Sequence, residues 1–280
     1  MRKKLLKNIN IKATHQLLLR YDYINLKITR MKKKIIVLTG VVILSFSCKK
    51  ETTSPTIDSN NSKVEVIPKG KYSTPIKDVD GNSYKTVQIG TQIWMAENLK
   101  TSRYNDETEI PSVKDNPNLL SINRGWSEYN NDPALGSKYG KLYDWYTIDK
   151  ASNENKNICP NGWHLPSIEE WKTLVNYLGG NEVAGNNLKA VGTENWLTSD
   201  QTTTNAALFD ALPGGESFIP NTDQTLFEKL GSTGTWWSYD YEESNYDVAA
   251  LAIILSTGNG KINYRNAYKR EGLSVRCLKD

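Results

Sequence analysis

Histidine is nearly missing from this chain. There are two in 280 residues, and only His164 lies beyond residue 48. A histidine-based metal centre or a nucleophile–histidine–acid triad needs several convergent groups. One histidine in a turn between Trp163 and Leu165 does not supply them, so it reads as a turn or core hydrogen-bonding residue. Cysteine is also scarce, at three. No phosphate-binding glycine loop occurs, because Gly214-Gly215 precedes a strand-like segment and reads as a turn. No internal repeat is visible. No apolar run reaches the ~20 residues that a membrane-spanning helix needs. The best candidate, residues 35–46, follows Met31 and three lysines, and residues 31–47 therefore read as a secretory signal peptide.

A basic excess over the exported part is absent too. The whole chain carries a formal charge of +4. Residues 1–48 hold 11 of its 35 basic and 1 of its 31 acidic side chains, which leaves 24 against 30, a net −6. The basicity belongs to targeting, and a nucleic-acid partner is not expected. Ser45-Phe46-Ser47-Cys48 resembles a bacterial lipobox, with Leu44 one place early. That resemblance implies cleavage before Cys48, lipidation of its thiol and attachment to the outer membrane. The alternative is a plain signal with an incidental cysteine. Residues 1–30 precede a complete signal and read as upstream sequence taken for coding. Residues 48–77 are polar and rich in Ser, Thr and Asn, as in a flexible tether.

About 200 residues from Asp78 onward remain, enough for one domain with a core. Ser167 with Glu170 three residues later forms a capping-box signature. Ile168, Trp171, Leu174, Val175 and Leu178 follow at helical spacing, and Gly179-Gly180 permits a left-handed stop. Glu169 and Glu170 sit where the helix dipole favours negative charge. Further short helices are expected near 183–190 and 204–211. Asp80-Gly81 and Gly90-Thr91 mark two hairpin turns. Residues 235–238, 248–255, 261–265 and 273–278 read as strands, with a loop at 256–260. Hairpins, then helices, then strands is an α+β order rather than alternating βαβ. With Cys48 acylated, Cys159 and Cys277 remain as an even pair in an oxidising compartment. They form either a disulfide or two buried thiols.

Several motifs then coincide: residues 78–111, YGKLYDWYTI at 139–148, residues 158–180, ALPGGESF at 211–218, GTWWSYD at 234–240 and GLSVRCLKD at 272–280. Together they resemble the Fibrobacter succinogenes major paralogous domain over nearly all of residues 78–280. The resemblance implies an exported lipoprotein of the Fibrobacter–Bacteroidetes group. It also implies a C-type-lectin-like α+β fold with short helices, antiparallel strands and long loops, related to the sulfatase-modifying-factor proteins. The stretch from Cys159 through Gly162, His164 and Leu165 to Ser167 is similar to the start of a C-type-lectin helix. Leu165-Pro166-Ser167 with Glu170-Trp171 resembles the LPTEAEW stretch of formylglycine-generating enzymes. In C-type lectin domains such a cysteine pairs with one on the last strand, which here is Cys277. That pairing removes the free cysteines on which aerobic formylglycine generation relies.

Calcium has little support. Asp78, Asp80 and Asn82 mimic the start of an EF-hand loop, but Ser83, Lys85 and Ile89 replace its glycine, apolar residue and glutamate. The sugar-binding triplets of C-type lectins, Glu-Pro-Asn or Gln-Pro-Asp with Trp-Asn-Asp, are missing, and Ile219-Pro220-Asn221 is a faint echo. No cofactor is expected, although calcium held by other carboxylates stays open. The remaining lead is aromatic: Trp236, Trp237, Tyr239, Tyr241 and Tyr246. Neighbouring strand residues face opposite ways, so one of Trp236 and Trp237 is expected in the core and the other toward a loop surface. The reading that results is a lipid-anchored, non-catalytic extracytoplasmic domain binding a glycan or protein through its loops. A carboxylate-based surface hydrolase and a purely structural envelope protein are the alternatives.

Overall fold

The computed structural model describes residues 69–115, 125–192, 194–197, 203–219, 225–241 and 248–280. The expectations for residues 1–47, Cys48, Tyr246 and the Pro220-Asn221 pair lie outside the described residues, as does most of the segment read as tether. The described part is α+β, with two mainly antiparallel sheets and a few short helices.

The first sheet begins with β1 (Lys71–Lys77), β2 (Ser83–Ile89) and β3 (Gln92–Met95), joined by the two expected turns. At the first turn the Asp78 carboxylate accepts from the backbone N–H groups of Asp80 and Asn82 and from the Tyr84 hydroxyl. Gly81 (φ 84°) supplies the left-handed residue. The calcium-like spacing of Asp78, Asp80 and Asn82 is thus used for a turn. Residues 71–77, read from sequence as the end of the tether, are instead a strand. β1 is an edge strand with no fully buried residue, so it carries little alternation to detect. Pro75 within it lacks an N–H, which an edge strand tolerates.

The helices are α1 (Pro133–Tyr139), α2 (Trp145–Ile148), α3 (Ile168–Tyr177) and α4 (Ala184–Leu188). Both bonds of the capping box at Ser167 and Glu170 are formed, and Trp171, Leu174 and Val175 are buried. Gly179 (φ 99°) and Gly180 (φ 91°) end the helix. The helix expected at 204–211 does not form. Asn205, Leu208 and Asp210 are left-handed, and the Asn205 and Asp210 side chains bond each other and the local backbone. Such short polar side chains compete with helical hydrogen bonds.

The second sheet runs β11-β10-β9-β12-β5-β4. Its strands are β4 (Trp126–Ser127), β5 (Leu142–Tyr143), β9 (Thr233–Trp237), β10 (Ala249–Ser256), β11 (Ile262–Tyr268) and β12 (Glu271–Ser274). A short ribbon of β7 (Glu216–Phe218) and β8 (Leu226–Glu228) branches from β12. The single strand expected at 273–278 is two strands. Leu273 and Ser274 pair with β5. The chain then crosses to the first sheet, where Leu278 in β13 (Leu278–Lys279) pairs with Trp94 of β3 and with His164 of β6 (Trp163–His164). Val275 and Cys277 accept from Leu99 and Met95 during the crossing.

Cys159 and Cys277 form a disulfide across 118 residues, with a Cα–Cα distance of 5.9 Å. It lies in one of two hydrophobic cores, with Trp145 and Trp237. The other core holds Trp94, Trp171, Phe209 and Trp236. Arg276, fully buried, lies against the Phe209 and Trp236 rings of the second core and donates twice to Asn98 Oδ1. Burial lowers its guanidinium pKa to about 9.

Candidate binding cavity

A cavity of about 520 Å³ opens where the β7–β8 ribbon, β11 and the turn into β12 diverge. Its position follows from the branching of β12. Glu271 and Gly272 pair with Phe218 and Ser217, whereas Leu273 and Ser274 turn to β5. Two glycines shape the branch. Gly215 (φ 70°) would place a side chain 2.5 Å from the Glu228 carbonyl oxygen, and one at Gly272 would meet Ser217 Oγ at 2.2 Å. At Gly215 the neighbour is backbone and φ is positive, so glycine is needed there; at Gly272 a side chain would have to displace the Ser217 hydroxyl.

The floor is an ion network from four strands and a turn. The Glu216 carboxylate accepts from Lys229 Nζ at 2.8 Å and from Thr235 Oγ1 at 2.7 Å, and faces an Arg265 amine at 3.1 Å. Arg265 reaches on to Glu271 through both terminal nitrogens, at 3.2 and 2.6 Å. Glu271 also accepts from the Tyr268 N–H. Burial pushes the Glu216 carboxyl upward, but the Lys229 bond, the Arg265 charge and the Thr235 hydroxyl outweigh it and hold the group below its ordinary range. The two glutamates raise Arg265 in turn, against its own burial.

The rim mixes aromatic and apolar side chains with the exposed Glu228 and Arg270. Tyr268 is 65% exposed and Val248 55%, and Tyr146, Phe218 and Ile219 also line the cavity. Lys269 is buried beneath the rim, with its ammonium 5.9 Å from the Trp145 ring, 6.0 Å from Tyr146 and 5.8 Å from Tyr241. Its carbonyl accepts from the Trp145 N–H, which sets the start of α2 and so the place of Tyr146.

The residues singled out from sequence divide. Trp236 and Trp237 are both buried, so the expectation that one faces a loop surface is wrong. The sheet is covered on both sides, and each indole enters a different core, donating to Asn98 and to the Tyr143 carbonyl. Tyr239 and Tyr241 are about two-fifths exposed. Tyr241 adjoins the cavity through Lys269, whereas Tyr239 lies by the start of α3, donating its N–H to Pro166. His164 lies between Asp280 Oδ1 at 2.6 Å and Glu170 Oε1 at 3.0 Å, on the α3 side. Among the described residues, no group of three or more His, Cys, Asp or Glu could hold a metal ion.

Residues 87–279 match the Fibrobacter succinogenes major domain. The chain belongs to that family. No curated protein and no solved structure matches it. The Fibrobacter major domain begins within β2 and ends in β13, so the cavity, the disulfide and most of both cores lie inside it, with Tyr84 and Ile76 of the first core just ahead of it. The disulfide fits an oxidising, extracytoplasmic compartment. Among the described residues no helix is long and apolar enough to cross a membrane.

Sequence reasoning missed Glu216, Lys229, Arg265, Tyr268 and Glu271 as one site. They are spread over 56 positions, and only the pairing of β12 with β7 joins them. The available signal was an arginine in the middle of β11, a strand whose partner β10 is almost wholly apolar.

Proposed function

We propose that this Fibrobacter major domain protein is a lipid-anchored, non-catalytic module of the cell envelope that binds a glycan in the β7–β11 cavity. The observation that carries the reading is the cavity's composition: exposed aromatic and aliphatic surface above a hydrogen-bonding floor. Small-molecule sites are typically concave, ~300–1,000 Å³, and apolar with a few convergent polar groups. A sugar ring offers both a C–H face for an aromatic ring and hydroxyls for charged partners. Loss of the Tyr268 ring should weaken binding about tenfold, ~1.4 kcal/mol. A glycan array probed with the exported chain and with Tyr268→Ala tests this. Retention by the parent and loss in the variant supports the site. No retained glycan, beside capture of an envelope protein, shifts the reading to a protein ligand.

The C-type-lectin-like arrangement belongs to the same proposal. Its support is the bridge from Cys159, ahead of α3, to Cys277, ahead of the last strand. The anchor rests on Cys48 at the end of the signal. Palmitate labelling should vanish in Cys48→Ala, and persistent labelling would place the anchor elsewhere.

One observation favours a second reading, a carboxylate hydrolase: Glu216 and Glu271 lie in one cavity on either side of Arg265. A general acid, however, needs a raised pKa, and Glu216 is lowered. Turnover of chromogenic glycosides that disappears in Glu216→Gln would restore the hydrolase.

A further inference from the structure

Resting on the reading of the cavity as a glycan site, we infer that Glu271 is a positioning residue of that site. It fixes the end of β11 and so holds the Tyr268 ring at the rim, without itself meeting the ligand. Among the described residues β11 is the outermost strand of its sheet. Tyr268 is its last residue and stands opposite Ala249 of β10. The next residue, Lys269, donates its N–H to the Val248 carbonyl. Bonded and unbonded pairs alternate along an antiparallel ladder, so the Tyr268 N–H points off the free edge. There it meets Glu271 Oε1 at 2.9 Å. An edge N–H with no protein acceptor is left to water, and a strand end held by few such bonds opens easily. The Tyr268 side chain is mostly exposed, so little packing fixes it and its place follows from the backbone beneath it.

Glu271 suits this task because its own place is set elsewhere. It opens β12, where it pairs with Phe218 of β7, and its side chain is only 13% exposed. The same carboxylate grips Arg265, three residues before Tyr268, through both terminal nitrogens. Fork-to-fork pairing of this kind adds geometric specificity to its strength. One carboxylate therefore holds β11 at two points, a side chain and a backbone N–H, and closes the turn at residues 269–270. These donors fill most of the roughly four acceptor sites a carboxylate has, which leaves Glu271 little capacity for a sugar hydroxyl. Without it, a ligand stacking on Tyr268 must also order the strand end, and ordering one such side chain costs about three- to tenfold in affinity.

The test joins amide hydrogen exchange to calorimetry on the exported chain. In the unliganded parent the Tyr268 amide should exchange at least about a hundredfold slower than a free amide, and about tenfold faster in Glu271→Met than in the parent, with the amides of β10 unchanged. Glu271→Gln, whose side-chain oxygen still accepts, should keep most of the protection. Titration with hexasaccharides of glucose, mannose, xylose and galacturonic acid then reads binding by the parent, Glu271→Met, Tyr268→Ala and the double variant. Affinity for whichever hexasaccharide binds should fall about three- to tenfold in Glu271→Met. The same change made in Tyr268→Ala should cost less than about twofold, because the two act as one unit. A Tyr268 amide unprotected in the parent, or protection that survives in Glu271→Met, would overturn the positioning role whether or not a sugar binds. Equal loss in Glu271→Gln and Glu271→Met would overturn it too, as would losses that multiply in the double variant, since Glu271 would then meet the ligand directly. A parent that binds none of the four, with the Tyr268 amide released in Glu271→Met as expected, would overturn the glycan reading and leave the hold of Glu271 on Tyr268 standing.

Discussion

Glu216 is buried, which alone would favour its neutral form, yet three neighbours hold it ionised. Its folded pKa is depressed, so its contribution to stability is present above the ordinary carboxylate range and is lost as pH falls through the folded value. Asp80 behaves alike and further out. Its burial is outweighed by the Ser102 N–H, Arg103, and the Ser102 and Thr101 hydroxyls, and its pKa falls from 3.8 to about 2. Stability should therefore decline between pH ~4 and ~2, and urea melts of Asp80→Asn should show a flatter decline there. An unchanged slope would count against the Asp80 assignment. Arg265→Leu leaves Glu216 and Glu271 without their shared cation. Removing one partner of a buried pair costs roughly 3–5 kcal/mol. Because a quarter of the Arg265 side chain is exposed, the lower end, about 3 kcal/mol, is expected in denaturant titration. None of these roles was legible in sequence, where Asp80 was a turn residue and Arg265 an ordinary strand position.

Elements were legible where a local signal and burial agree. α3 carries its own start, stripe and stop, and it forms over residues 168–177 between them. Ser167→Ala removes one cap acceptor and should cost about 1 kcal/mol. For a domain near 200 residues that is a fall in Tm of about 2–4 °C, readable by circular dichroism. The hairpin turns at Gly81 and Gly90 were legible for the same reason, since each needs φ above zero. Elements escaped notice where tertiary context decides. β1 takes its strand form from pairing with β2, not from its own exposed residues. Residues 204–211 have helical apolar spacing, but Asn205 and Asp210 divert the backbone. The strand expected at 273–278 splits because one end belongs to each sheet.

At the scale of the molecule, family and class were legible and the site was not. The pairing of Cys159 with Cys277 follows from the family resemblance, and both residues are fully buried. In the chain-entropy model a loop of this length is worth about 4–5 kcal/mol. Cys159→Ser with Cys277→Ser should lose an amount of that order in urea, and a loss below about 1 kcal/mol would contradict it. The cavity was hidden because it depends on a branch in the sheet, which brings residues 216–219 and 265–271 together without any shared motif. The aromatic signal pointed instead to Trp236 and Trp237, whose indoles fill the cores. The most direct test of the cavity as ligand site is amide chemical-shift mapping of the exported chain during titration with a bound oligosaccharide. The shifts should cluster at residues 216–219, 228–229 and 265–271. Shifts confined to the Tyr239 side of α3 would contradict it.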